Sequence, residues 1–290
     1  MNGIIIVDKP AGWTSHDVVA KLRGALKVKR VGHGGTLDPM ATGVLPVFIG
    51  RATRAAEFCE NAEKEYEAGL KLGLVTDTQD ITGNTIRTCD AAFSSDDVIA
   101  VLPRFLGAQK QTPPMYSAIK IGGKKLYELA RGGIEVPRPA RDIFISEITL
   151  TDGADDEYKL KVACSKGTYI RTLCHDIGAA LGCGGAMSSL RRTRAGDFTI
   201  GTAHPLDEVL DAIGKNRIES ILLPVDTVFS KHPAITLDEQ DTRKCRNGAP
   251  FKARGFDDGT YRFYGPDNEF LLLAEVKSGE TKIIKSFFEV

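Results

Sequence analysis

Within its first fifty residues the chain changes apolar period twice, and that succession restricts the fold more than any other feature. GIIIVDKPAG, from Gly3, is a short unbroken apolar run that ends at Lys9, Pro10 and Gly12, and it reads as a buried strand entering a turn. Thr14-Ser15-His16-Asp17 has capping-box spacing and predicts a helix carrying Val18, Val19, Leu22 and Leu26 inward. TGVLPVFIG, from Thr42, is apolar and β-rich again, although Pro46 argues against a regular central strand there. Strand and helix in close succession support α+β or α/β and no finer class.

The same segment is unusual in charge. From Val18 through Ala56 the only acid is Asp38, against seven bases: Lys21, Arg23, Lys27, Lys29, Arg30, Arg51 and Arg54. The whole chain has 38 acids in 290 residues and a formal net charge of zero, so it has no bulk attraction to polyanions, and any nucleic-acid surface must come from segregated charge. Arg23, Lys27 and Arg30 at i, i+4 and i+7 are expected on one helical face, either as a solvated surface or as a polyanion-facing stripe. A second basic segment runs from Lys110 to Arg141, with seven bases opposed only by Glu128 and Glu135. Its prolines and glycines predict a largely irregular insertion with one short helix, a plausible clamp on a phosphate backbone.

A chain of this length accommodates two domains. KEYEAGLKLGLVTDTQDITGN reads as a strand ending in a turn held by Asp and Thr side chains. EYKLKVACSKGTYIRTLCHDIG reads as a strand, a turn at Lys166-Gly167 and a helix with Leu173, Ile177 and Leu181 inward. Arg171 falls in that helix's first turn, where a cation opposes the helix dipole and implies a nearby anion. Arg191, Arg192 and Arg194 follow, packed together in the sequence. From about residue 231 alternating segments around Gly and Asn turns predict a small all-β domain. No apolar run is long enough for a membrane span, the N-terminus lacks a signal-peptide pattern, and six scattered cysteines are expected as free thiols; the cytoplasm is the expected location.

For chemistry, Asp38 is either an Asp-Pro turn residue or a functional carboxylate kept ionised by a cation such as Arg171. An ionised aspartate with no adjacent base suits covalent glycosyl chemistry. The five histidines show no zinc spacing, no serine elbow is present, and Cys174-His175 diverge on a helix, so metal and triad readings fare poorly. GHGGT lacks the end of a P-loop. Tyr66, Tyr127, Tyr158 and Tyr169 read first as packing residues; Tyr169, two residues before Arg171, also offers a face for an extruded base.

GHGGTLDPMATGVLPVFIGRATR closely resembles the signature of bacterial TruB-type tRNA pseudouridine synthases. VDKPAGWTSHD, KEYEAGLKLGLVTDTQD, CSKGTYIRTLCHDIG and SSLRRTRAGDF resemble further family motifs, in order, from about residue 3 to 226. The resemblance implies an α+β fold, a mixed sheet with a central cleft over residues 1–230, a basic RNA-gripping insertion at about 104–141, and a small PUA-like β domain over 231–290. It implies isomerisation of the uridine at position 55, in the T loop of tRNA, by base flipping, with no cofactor or metal. Asp38 corresponds to the catalytic aspartate, Arg171 to its pairing arginine and Tyr66 to the tyrosine stacking on the base. Tyr169 and Leu190 match pocket positions, His33 matches a histidine entering the space left by flipped bases, and Lys9 belongs with the substrate-binding set. Arg23, Lys27, Arg30, Lys124, Lys125, Arg191 and Arg192 are expected on the RNA backbone. The expected partner is tRNA alone, with the protein a monomer lacking an obligate protein partner. The rival functions are an RNA-binding chaperone, for which Asp38 has no use, and an RNA-uridine methyltransferase, whose cofactor loop and cysteine motif are missing.

Overall fold

The computed structural model describes residues 1–90, 93–249, 251–253 and 255–288. Strand β1 (Gly3–Lys9) buries Ile4, Ile5, Ile6 and Val7 on both of its faces, which is why it reads as an unbroken apolar run rather than an alternation. Helix α1 (Ser15–Leu26) starts with the expected capping box: the Thr14 side chain accepts from the Asp17 N–H at 3.0 Å, and Asp17 accepts from the Thr14 N–H at 2.9 Å. It buries Val18, Val19 and Leu22 and stops at Leu26, because Lys27 turns left-handed at φ 54. The expected single helical face of Arg23, Lys27 and Arg30 is therefore corrected. Arg23 sits in the last turn, Lys27 is the cap, and Arg30 lies beyond the helix, although all three are exposed.

After β2 (Val31–His33) comes β3 (Thr42–Ile49), which is a central strand in spite of Pro46. Along that edge β3 pairs with a later strand only at Thr42 and Gly43, and with β2 only at Val47 to Ile49. Pro46 sits in the gap, where its carbonyl accepts the Gly34 N–H and no donor is required of it. A 3-10 turn (Gly50–Ala55) and α2 (Ala56–Asn61) lead into β4 (Lys64–Leu72), then the hairpin of β5 (Leu74–Thr76) and β6 (Thr85–Thr88), then α3 (Ser95–Val101). The basic insertion is largely irregular with one short helix, as expected, and adds a few short strands. It comprises β7 (Gly107–Gln111), the short hairpin of β8 (Lys120–Ile121) and β9 (Lys124–Lys125), and α4 (Leu126–Arg131), before β10 (Arg141–Ala154). The unit closes with β11 (Glu157–Cys164), α5 (Ile170–Ala180), β12 (Gly185–Ala195), β13 (Phe198–Thr199), β14 (His204–Pro205) and α6 (Leu206–Gly214).

Among the described residues ten of these strands form one mixed sheet in the order β14-β1-β3-β12-β4-β11-β10-β7, with β2 on β3 and β13 on β12, while β5-β6 and β8-β9 remain separate hairpins. The late strand β12 inserts between β3 and β4, parallel to the first and antiparallel to the second. That crossover brings the β2–β3 loop, carrying Asp38, to the N-terminus of α5, carrying Arg171. Gly43 permits the join: its φ is +100, and a Cβ there would overlap the Arg192 backbone.

The C-terminal region forms a separate sheet, ordered β15 (Ala234–Thr236), β16 (Gly259–Tyr264), β17 (Phe270–Lys277) and β18 (Glu280–Ser286). The expectation of an all-β unit is corrected by a helix, Glu239–Arg246, whose first turn is capped by the Asp238 carboxylate on the Asp241 N–H at 2.7 Å. Ile235, Cys245, Phe263, Leu271 and Leu272 give the sheet its own core. Leu273 and Phe287 instead join Ile4, Val44, Phe48 and Phe229 of the larger unit. All six cysteines are free thiols, and among the described residues no helix is long and apolar enough to cross a membrane.

Candidate active site

The loop bearing Asp38 is fixed on both sides by the segment between β1 and α1. The Ser15 hydroxyl accepts the Leu37 N–H at 2.8 Å and donates to the Leu37 carbonyl at 3.3 Å. The Pro39 carbonyl accepts from the Gly12 N–H at 2.8 Å and from Lys9 Nζ at 3.2 Å. With Leu37 and Pro39 both tied, Asp38 between them has little freedom to choose its direction.

It points at Arg171. Arg171 Nε lies 3.0 Å from Asp38 Oδ2 and Nη2 lies 3.3 Å from Oδ1, a forked contact that uses both carboxylate oxygens. Arg171 is itself 6 % exposed, and its remaining donors reach the Thr78 carbonyl at 3.1 Å and the Tyr116 carbonyl at 2.8 Å. Asp80 stands 3.8 Å from Nη1, so two acids face the cation that opens α5, and they are the anions its place in the helix implied. Asp80 also holds the expected turn, accepting from the Thr82 N–H at 2.9 Å and from the Thr78 and Thr82 hydroxyls. Tyr116 ties the basic insertion to the same guanidinium. Sequence reasoning missed Tyr116 and the Asp80–Arg171 contact. The D-x-x-D-x-x-G pattern marked the turn but not what it faces.

The Asp38 side chain is 33 % exposed while Arg171 is nearly enclosed, so the pair presents its carboxylate outward. Burial raises the Asp38 carboxyl above its ordinary value; Arg171 pulls it back and Asp80 adds to the rise. The expectation that Arg171 governs this ionisation is thus modified: the arginine limits an upward shift. Tyr66 on β4 and Leu190 on β12 belong to the same buried cluster, at 9 % and 8 % exposure; burial raises the Tyr66 phenol, and nearby Asp38 adds to the rise. Tyr169 precedes α5, half-buried, and Gln111 of β7 holds its backbone at both ends, accepting its N–H at 2.7 Å and donating to its carbonyl at 3.0 Å. His33 packs edge-on against exposed His16 with ring centroids 6.0 Å apart. Burial, with His16 and Arg192, pushes His33 down to about 4, so it is neutral at pH 7.

Two assignments are corrected. Lys9 is fully buried and donates to the carbonyls of Pro10, Trp13 and Pro39 at 2.8, 2.6 and 3.2 Å, so it braces the Asp38 loop and offers nothing to a substrate. Arg192, 1 % exposed, spends its guanidinium on the carbonyls of Val44, Thr36 and Gly35 at 2.7, 3.4 and 3.1 Å and cannot reach an RNA backbone. The three neighbouring arginines do not act together. Arg191 pairs with Asp8 at 2.8 Å and Arg194 with Glu63 at 2.8 Å. Lys124 is exposed; Lys125 and Arg131 lie over the Tyr127 ring at 5.3 and 5.4 Å.

A carboxylate fixed by a forked arginine stands beside tyrosines in a mixed sheet, and the relatives of this chain give the class of protein it belongs to. Residues 23–170 match the TruB family pseudouridylate synthase N-terminal domain and residues 171–230 the tRNA pseudouridylate synthase B C-terminal domain. The tRNA pseudouridine synthase B of Clostridium kluyveri is 41 % identical over 99 % of this chain and all of its own length. That of Alkaliphilus oremlandii is 50 % identical over 78 % of this chain and 75 % of its own. Among solved structures, a Cbf5-Nop10-Gar1 complex aligns over 99 % of this chain and 85 % of that chain at TM-score 0.75 and 27 % identity. An H/ACA RNP bound to a substrate RNA containing 2'-deoxyuridine aligns equally well, at TM-score 0.75 and 26 % identity. The chain belongs to the TruB family. It is a tRNA pseudouridine synthase, an isomerase. The two family matches meet at Arg171, in α5, and the four-stranded C-terminal sheet lies beyond both.

Proposed function

We propose that this synthase modifies the uridine at position 55, in the T loop of tRNA, working as a single chain with Asp38 as its catalytic carboxylate. The forked Asp38–Arg171 pair, with the carboxylate turned toward solvent, is the observation that carries the reading. The reaction breaks an N1–C1′ bond and makes a C5–C1′ bond to the same uracil. The target must leave the loop stack, at a cost of a few kcal/mol, which phosphate contacts from Arg23, Lys27, Arg30, Lys124, Lys125 and Arg191 offset. Tyr66 stacks on the freed base while it turns, Tyr169 and Leu190 wall the pocket, and neutral His33 fills space among displaced bases. Attack at C1′, attack at C6 and deprotonation at C2′ each place the carboxylate beside the nucleotide, and the forked pair suits all three. The C-terminal sheet is read as PUA-like, extending the RNA surface. Incubating the protein with an unmodified tRNA transcript and mapping pseudouridine chemically tests the site. One modified uridine at position 55 is the expected result; modification elsewhere in place of it overturns the reading.

A further inference from the structure

At the end of the large sheet remote from Asp38 lies a second basic feature, a groove bordered by Met1, Asn2, Lys29, Arg30, Gly50 and Arg51. The strand register fixes its distance. Lys9, which braces the Asp38 loop, faces Gly43, and Gly3, next to the groove, faces Ile49. Six residues of strand separate those pairs, about 20 Å. Helix α1 spans the same interval on the outside, from Ser15 beside Leu37 to Lys27, and its exposed bases Lys21 and Arg23 step from the site toward the groove.

The walls are held by internal bonds. The Gly50 N–H donates to the Arg30 carbonyl at 2.8 Å, the Arg51 N–H donates to Asn2 Oδ1 at 2.8 Å, and Arg51 Nη1 donates to the Phe288 carbonyl. Gly50 adopts φ +65 in close approach to Met1 and Asn2, and a side chain there would collide with both. Because those backbone donors are satisfied, the groove's attraction for a ligand comes from side-chain cations. Among the described residues, Lys29 and Arg30 are exposed and make no ion pair or side-chain hydrogen bond, and no acid borders the groove. Elsewhere the protein pairs many such cations, as at Lys215–Asp211 (2.8 Å) and Arg217–Asp211 (3.3 Å). Charges at a helix C-terminus complement its dipole within the last turn; Lys29 and Arg30 lie past that turn, so the dipole does not account for them.

We propose that this groove seats a backbone phosphate of the T stem, a second anchor about 20 Å from the loop nucleotide held at Asp38; the inference rests on the T-loop reading above. Two anchors set the angle at which the stem enters, and the phosphate contact reads no sequence. The test compares wild type, Lys29→Ala/Arg30→Ala and a Lys215→Ala control for binding to a T stem-loop RNA across a salt series. The double variant is expected to bind about tenfold more weakly at low salt, with the slope of log Kd against log salt reduced by about one, and the control to match wild type. An unchanged slope, or a loss seen with full-length tRNA but not with the stem-loop, overturns the proposal. Failure of the T-loop reading shows differently, as wild-type protein that neither binds nor modifies the stem-loop.

Discussion

Two buried arginines, Arg171 on α5 and Arg192 on β12, do opposite things. Arg171, 6 % exposed, directs its fork at a carboxylate that is itself one-third exposed. Arg192, 1 % exposed, is satisfied by three backbone carbonyls and closes the β2–β3 loop from beneath. Burial and charge are the same in both. What separates the proposed site from a brace is the partner: a charge-paired carboxylate one-third exposed is open to a substrate, while a carbonyl already enclosed only holds the chain in place.

The comparison is broken most severely at Arg171. Arg171→Leu removes the cation that both Asp38 and Asp80 face, and single-turnover pseudouridine formation is expected to fall on the order of 10³-fold. Arg171 is what limits the upward shift of Asp38, so the acid limb of residual activity should also move to higher pH. An activity loss below tenfold would make Arg171 a brace like its neighbour. Arg192→Leu should reverse the pattern. Three buried carbonyls lose their donor, lowering unfolding free energy by about 3–5 kcal/mol in denaturant titrations, with activity per folded molecule changed far less. The smallest effect is expected at His33. Its pKa is depressed to about 4 from 6.5, so between those values the unfolded chain binds more protons than the folded one. Its contribution is complete above pH 6.5 and is lost as pH falls through about 4. Unfolding titrations of His33→Gln should therefore show a shallower fall in stability over that window than wild type, and equal slopes would place His33 in water.

Much of this was legible in the sequence. The capping box at Thr14 and the turn held by Asp and Thr side chains follow from local chemistry; one acid in a basic segment marked Asp38 without settling its role, and its pairing with Arg171 was implied by the family resemblance. What escaped depends on distant pairing. Pro46 stands in a central strand because two partners on that edge leave a gap there. Lys9 and Arg192 looked like RNA contacts because a sequence reports charge and not the carbonyls that enclose it. The Asp80–Arg171 approach needs the hairpin turn folded back against α5, a contact between residues 91 apart in sequence. The helix of the C-terminal unit was hidden in a polar stretch whose first turn Asp238 caps.

The most direct measurement is single-turnover conversion of an unmodified tRNA transcript by Asp38→Asn, with tRNA affinity determined on the same preparation. The substitution keeps the size of the side chain and one acceptor for Arg171, but it replaces the second acceptor oxygen with an NH2 group and removes the charge proposed to react. Conversion should fall by on the order of 10⁴-fold or more, with Kd within about tenfold of wild type. Conversion at a rate near that of wild type would contradict the role given to Asp38 and, with it, the reading of the whole site.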